Sequence, residues 1–450
     1  MKLNKLRLKN FQGFHEKEIT FSDNINVLVG ENGTGKTAIM KAISIALSTY
    51  ISRLTNEKKI EISLSDVRCK EIFYDEIKTV EPQYPSEIHC NISNEEFIEY
   101  DAQYDGEIEW SCERHFSSGY LITREGILTE ITDDILFAIK SSPSNKLPIF
   151  ISYNTNRLWT INNQREHFNT SLAMSRFDGY NNFLNPYINE NEFIDWYIRM
   201  SIAEIKQNKP LKILNSVKTA ISNCLSTVGV VGIHYSPSSN EILASTKDES
   251  LIPIRLLSDG YRSIIGLVAD IAYRMSILNP SLEDSLETPG VILIDEIDLH
   301  LHPKWQRSII DDLKTTFPNV QFIVSTHSPF IVQSLSTGEL QTLDRSNNEL
   351  LVSPDQFVNK SLEDVATNIM GINHPQRNEK LQRLYELTKD YYLLIKKSFE
   401  SSSKATELHE DIKSIKLEID KLSSLFSDNI AYYAILEIER EELERKEKKK

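Results

Sequence analysis

Nothing in the sequence approaches the roughly 18 consecutive apolar residues of a bilayer-spanning helix. The first residues, MKLNKLRLKNFQGF, hold no apolar stretch of signal-peptide length, so the expectation is a cytoplasmic protein with no membrane partner. Cysteine is scarce: Cys69, Cys90, Cys112 and Cys224 stand far apart and form no C-x-x-C pair. That excludes a disulfide framework and predicts reduced structural thiols rather than a zinc site. Positive charge is in deficit, 50 Lys and Arg against 65 Asp and Glu, a net charge of −15. Such a surface opposes non-specific nucleic-acid binding and confines any DNA contact to a local groove or to a partner. What the chain does have is bulk: 450 residues, 40% hydrophobic and 26% charged, enough to bury a sizeable core.

Periodicity divides the chain. Leu6 and Leu8 alternate with Lys5, Arg7 and Lys9, and Ile19 and Phe21 with Glu18 and Thr20, the period of half-buried strands. Val27-Leu28-Val29 reads as a strand buried on both faces. Ile39, Ile43, Leu47, Tyr50, Ile51 and Leu54 then recur at helical spacing. EIHCNIS and GEIEWSCERHF read as short antiparallel strands, and Ile149-Phe150-Ile151 as a further buried one. A helical stretch covers about 160–225, and VGVVGIHYS with EILAST suggests a small β-meander. From Leu257 to Val332, helices and buried strands alternate, which argues a parallel α/β sheet. Residues 378–447 are rich in Glu, Lys and Leu. There Leu408, Ile412, Ile415, Ile419, Leu422 and Phe426 form a heptad seam too short for a free coiled coil, which suits a helical hairpin or a docked partner helix.

Gly30-Glu31-Asn32-Gly33-Thr34-Gly35-Lys36-Thr37 matches G-x-x-x-x-G-K-[ST], with a buried strand before it and a helix after it. Glycines let backbone N–H groups curl around phosphate oxygens where side chains would collide. Asn32, Gly33, Thr34, Gly35, Lys36 and Thr37 are thus candidate ATP-binding residues. Lys36 would meet the β- and γ-phosphates, and the Thr37 hydroxyl would ligate Mg²⁺. Val291-Ile292-Leu293-Ile294 ends in Asp295-Glu296. Carboxylates at the end of a buried strand need a reason, and a magnesium ion supplies one. Asp295 would hold the metal and Glu296 would orient or deprotonate the attacking water.

Leu257-Ser258-Asp259-Gly260-Tyr261-Arg262 precedes a long apolar helix. Alone, Ser258 and Gly260 would read as an ordinary helix start. Further on, Phe322-Ile323-Val324 leads into Ser325-Thr326-His327, and His327 at that strand end can reach a γ-phosphate. Four elements in this order, with GENGTGKT and DEIDLHLHP (Asp295 to Pro303), resemble the ABC-type ATPases of the SMC/RecF/OLD group.

That resemblance implies an α/β ATPase head of two lobes, a mixed β-sheet and a parallel phosphate-loop sheet, with a helical insertion and a helical C-terminal region. It implies ATP held between the phosphate loop of one protomer and Ser258 and Gly260 of another, in a homodimer or higher homo-oligomer. Asp298 matches the D-loop position. Asp259 and Tyr261-Arg262 depart from LSGGQ, and Asp259 is expected to crowd the γ-phosphate with negative charge and slow hydrolysis. The Q-loop candidate is SYNTNRLW, in which Asn154 or Arg157 would sense metal or phosphate.

The stretch between Lys36 and Leu257 is too short for an SMC coiled-coil insertion. Beyond residue 340 no acidic cluster of the OLD nucleases appears. Only His374 and His409 occur there, too few to suggest an HNH nuclease within the chain. LPIFISYNTNRLW, SRFDGYNNFL, IRLLSDGYRS, VILIDEIDLHLHP and SLEDVATNIMGI resemble the PtuA ATPases of Septu anti-phage systems and related retron ATPases. That family implies a slow regulatory ATPase that controls a separate HNH nuclease subunit of PtuB type, with DNA reached through the complex. A RecF-like repair ATPase is the alternative. The domain expectation is an ATPase domain over 1–338 and a helical region over 339–450 for oligomer or partner contacts.

Overall fold

The computed structural model describes residues 1–55, 57–74, 77–93, 107–117, 121–124, 126, 128–142, 145–155, 175–184, 186, 190–343, 360–368, 370, 379–400 and 405–423. They fall into two compact units, Met1–Val365 and Ala366–Lys450.

The alternating N-terminal pattern becomes the hairpin β1 (Lys2–Phe11) and β2 (Phe14–Thr20). Its apolar members, Leu6, Leu8 and Ile19, are buried, and Lys5, Arg7 and Lys9 pair with carboxylates on the other face. With β6 (Ser86–Ser93), β7 (Ile108–Arg114) and β8 (Leu121–Arg124) the hairpin forms an antiparallel sheet in the order β2-β1-β6-β7-β8. A separate two-stranded ribbon joins β4 (Cys69–Tyr74) to β5 (Ile77–Pro82).

The second five-stranded sheet is parallel throughout. Its order is β15-β3-β14-β13-β9, formed by β3 (Ile25–Val29), β9 (Ile149–Tyr153), β13 (Gly290–Ile294), β14 (Val320–Ser325) and β15 (Leu340–Thr342). Every residue of β3, β9, β13 and β14 is buried, as continuous apolar strands covered on both faces must be. β15 carries this sheet past residue 338, and the first compact unit extends to Val365.

Helix α1 (Lys36–Leu54) packs between the two sheets. The spacing in the sequence marked one apolar face. The structure also buries Met40, Ile45 and Ser48, because the helix has sheet on both sides; the Trp110 indole of β7 donates to its Ala46 carbonyl at 3.1 Å. Helix α2 (Leu128–Ser141) lies beside it. The helical stretch is α3 (Glu190–Gln207) and α4 (Lys212–Leu225), and residues 156–174 of the expected insertion lie outside the described residues. The expected meander is β10 (Val230–Ser236), β11 (Glu241–Thr246) and β12 (Leu251–Pro253).

Helix α5 (Asp259–Leu278) is buried almost along its whole length. That burial includes an ion pair: Arg274 donates to Asp270 at 2.9 and 3.0 Å, and Tyr153 of β9 donates to the same carboxylate at 2.7 Å. Arg274 also donates to the Gly179 and Asn181 carbonyls, which ties the SRFDGY segment to the helix. Short helices α6 (Pro303–Gln306), α7 (Ile309–Thr316) and α8 (Pro329–Gln333) flank the parallel sheet, and α9 (Leu362–Asn368) follows it. In the second unit α10 (Glu379–Glu400) and α11 (Ala405–Ser423) pack as a hairpin with an Arg383–Glu418 ion pair at 3.4 Å. Ile412, Ile415, Ile419 and Leu422 of the heptad seam are half-buried in α11; Phe426 lies outside the described residues. No described helix is long and apolar enough to cross a membrane.

Candidate functional site

The candidate side chains converge because the parallel strands end on one edge. β3 runs out into Gly30, β13 into Asp295, and β14 into Thr326 and His327. Ligands of open parallel sheets sit outside such carboxyl ends. A cleft of about 560 Å³ opens there, and Lys36, Thr37, Asp295, Glu296 and His327 line it together with Asn32, Gly33, Thr34 and Gly35.

The loop from Gly30 wraps back on itself. Thr34 Oγ1 donates to the Glu31 carbonyl at 2.9 Å, and Lys36 Nζ donates to the Gly30 and Glu31 carbonyls at 2.7 and 3.1 Å. Gly35 caps α1 with φ +102°, and a β-carbon there would collide with the Phe14 ring. Only glycine satisfies both conditions. Burial lowers the Lys36 pKa against the opposing fields of Asp295, Glu296 and Asp298. The ammonium is therefore a partly desolvated cation, stronger toward a phosphate than in water, while the three carboxylates beside it oppose a polyanion unless a divalent cation offsets them.

The acidic pair is locked by the neighbouring strand. Asp295 N donates to the Tyr153 carbonyl at 2.9 Å, and Thr37 Oγ1 to Asp295 Oδ2 at 3.3 Å. Ser325 Oγ donates to Asp295 Oδ1 and accepts from Glu296 N at 2.8 Å. Glu296 takes the left-handed conformation, φ +49°, uncommon for a residue with a β-carbon and suited to turning its carboxylate into the cleft. Asp298 accepts from Thr326 Oγ1 at 2.6 Å and from His327 N at 3.3 Å, which leaves the exposed His327 ring at the mouth. A hydroxyl and a carboxylate on neighbouring strand ends are hard oxygen donors of the kind that hold magnesium beside substrate phosphates.

Residues 25–333 match the family described as "AAA domain, putative AbiEii toxin, Type IV TA system". The chain belongs to that family. It is 25% identical to the "Retron Vc95 probable ATPase" of Vibrio cholerae serotype O1 biovar El Tor, over 91% of this chain and 86% of that protein. It is 23% identical to the "Septu protein PtuA" of Bacillus thuringiensis, over 86% of this chain and 88% of that one. Among solved structures, the Smc head bound to the C-winged helix domain of ScpA aligns with a TM-score of 0.42 and 19% identity, covering 74% of this chain and 91% of that one. Within this family assignment the α/β head, with an antiparallel sheet where a mixed one was expected and a loop that leaves a strand of the parallel sheet, otherwise follows the architecture anticipated from the motifs.

Two sequence-derived candidates stand apart from the cleft. Ser258 and Gly260 sit at the start of α5 and do not line it. Ser258 is exposed, and its hydroxyl makes no helix-capping bond. Gly260 is fixed by packing: a β-carbon there would lie 2.8 Å from the His300 carbonyl and the Trp305 ring. Asn154 follows β9 at the same sheet edge, and Arg157 lies outside the described residues.

The Asp259 side chain is largely exposed and paired with Arg262, which donates to it and also to Glu190 at 2.7 Å. The guanidinium three residues on, one helical turn away, offsets part of the charge expected to crowd the phosphate.

The motifs also missed part of the cleft wall. Gln12, Phe14 and His15 of the β1–β2 hairpin and Arg68 line it. Asp66 holds that wall through Gln12 at 2.9 Å, Lys41 and Ser63. The Gln12 and Lys41 contacts join residues distant in sequence, so no local pattern marks them; only the Ser63–Asp66 capping box is local. Ser325 was closer to legible, as a hydroxyl at the strand end beside the acidic pair.

Proposed function

We propose that the chain is an ATP-binding, slowly hydrolysing subunit of an anti-phage defence complex, and that it controls a separate HNH-type nuclease. The observation that carries the nucleotide reading is the gathering of Lys36, Thr37, Asp295, Glu296 and His327 at one sheet edge. Lys36 and the loop amides bind the triphosphate. Thr37 and Asp295 hold Mg²⁺, which when bound supplies charge neutralisation on the phosphates. Glu296 accepts a proton from the water attacking the γ-phosphorus, releasing ADP and phosphate, and His327 contacts the γ-phosphate.

Ser258 and Gly260 do not line this cleft, and on the resemblance to ABC-type ATPases we assign them to the cleft of a second copy. A pair with two-fold symmetry completes both sites. We assign 1–338 to the ATPase domain and 339–450 to oligomer and partner contacts. The defence role rests on the retron and Septu names of the relatives, and the nuclease partner on the Septu resemblance. We place the chain in the cytoplasm, with DNA cutting in the partner rather than here.

The test is a search for an HNH gene beside this one and co-expression of its product with the full chain; no such neighbour would also count against the reading. Co-purification, with loss of plasmid or phage DNA that changes on Lys36→Ala, supports the reading. An HNH protein that neither binds nor responds to Lys36→Ala contradicts it.

A further inference from the structure

The turn that opens α5 is not held by a helix cap, because Ser258 makes no capping bond. It is held from outside. A β-carbon on Gly260 would stand 2.8 Å from both the His300 carbonyl and the Trp305 ring, so the backbone there is pressed against α6. The Tyr261 ring meets the same indole edge-on, centroids 4.2 Å apart, and its hydroxyl donates to the Val228 carbonyl at 3.1 Å. Trp305 itself is buried. One side chain thus packs against both residues that follow Asp259.

The indole is in turn anchored. Pro303 opens its short helix, and His302 Nδ1 accepts from Lys304 N at 3.2 Å. Gln306, the next residue, donates to the Leu301 carbonyl at 2.8 Å and accepts from Ser328 Oγ at 2.6 Å. Ser328 N donates to Thr326 Oγ1 at 3.0 Å, and Thr326 holds Asp298. Leu299 N and Leu301 N bond back to the Glu296 and Asp298 carbonyls at 2.9 and 3.0 Å, and His300 keeps left-handed backbone, φ +64°. A residue with a β-carbon stays in that region where its surroundings fix it. Trp305 is therefore mounted on the strand ends that carry the acidic pair and His327, not on a free loop.

We infer that Trp305 is a positioning residue for the nucleotide site of the other copy: its indole, in place of a helix cap, holds the Ser258–Gly260 turn where a second protomer's cleft uses it. The inference rests on the proposed two-copy ATP site and adds to it the residue that sets one half of that site. Trp305 lines no part of its own cleft. Its contacts run to Gly260 and Tyr261, so an error in its place is passed to the turn and not to Lys36 or Glu296. A displacement of about 1 Å in a group that meets the reacting phosphate is enough to slow the chemistry severely. The side chain acts within its own protomer and is felt in the partner's site.

The experiment mixes two full-length variants and reads phosphate release with ATP and Mg²⁺. The donor carries Lys36→Ala and supplies only a working turn; the acceptor carries Ser258→Arg and supplies only a working cleft. Trp305→Ala in the donor should lower the rate of the mixture roughly tenfold, and the same change in the acceptor should leave it within about twofold. Tyr261→Ala should show the same one-sided loss. Trp305→Phe in the donor, which keeps a ring beside Gly260, should recover most of the rate. A fluorescent ATP analogue should bind Trp305→Ala in the acceptor background as tightly as its parent, which separates the effect from misfolding. A loss of equal size from either protomer, or none from the donor, overturns the inference and leaves the two-copy site standing. A mixture already inactive before Trp305 is changed overturns both.

Discussion

Thr37 and Asp295 stand 258 residues apart in the chain and 3.3 Å apart in the structure, hydroxyl to carboxylate. The first helical turn after β3 and the end of β13 are brought together by the parallel sheet, with β14 between the two strands. Thr37→Val keeps the shape and removes the oxygen. We expect it to abolish the magnesium dependence of nucleotide affinity while weak metal-free binding persists. Titration of a fluorescent ATP analogue with and without Mg²⁺ checks this; an unchanged metal response would remove Thr37 from the metal site.

The buried Tyr153–Asp270–Arg274 cluster predicts a stability effect. Arg274→Met strands the Asp270 carboxylate in the core and should cost about 3–5 kcal/mol. Adding Asp270→Leu and Tyr153→Phe removes the stranded charge and should recover much of the loss. Urea unfolding of the single and the triple variant measures it, and a cost confined to the surface range, below about 0.5 kcal/mol, would contradict the account.

Asp66 ties the cleft wall to acid stability. Burial pushes its carboxyl up, but hydrogen bonds from Lys41, Ser63 and Gln12 outweigh burial and hold it below the usual carboxylate range. A depressed folded pKa gives stability that is present above the unfolded pKa and is lost as pH falls through the folded value. Asp66→Asn should lower stability near pH 7 by on the order of 2 kcal/mol and flatten its fall in acid. Unfolding midpoints between pH 7 and pH 3 test both parts. An unchanged slope would show that other carboxylates carry the acid response.

The pairing of Asp259 with Arg262 bears on the rate. Arg262→Ala frees the Asp259 carboxylate next to Ser258 and should slow phosphate release by like-charge repulsion, whereas adding Asp259→Gly should restore it. If Arg262→Ala alone leaves the rate unchanged, the ion pair has no part in presenting the signature.

What the sequence disclosed was what local patterns encode. The strand before Gly30, the apolar run ending at Asp295 and the strand before His327 each carried their own periodicity, and the parallel sheet follows from their alternation with helices. The one-sided reading of α1 fell short because spacing reports apolar positions and not how many layers cover them. The Gln12–Arg68 wall, the Ser325 bridge and the Arg274 ion pair depend on tertiary proximity between distant residues. The charge on Asp259 was legible and its partner was not, since the identity of Arg262 gives no direction for its side chain.

The central claim is that each ATP site is shared by two copies of the chain, and mixing two inactive proteins tests it most directly. Lys36→Ala lacks the phosphate-binding ammonium and Ser258→Arg blocks the signature, so each should release little phosphate alone. Random mixing leaves half of the dimers mixed, each with one complete site, so the mixture should recover roughly a quarter of the wild-type rate. A mixture no faster than its components would contradict the account.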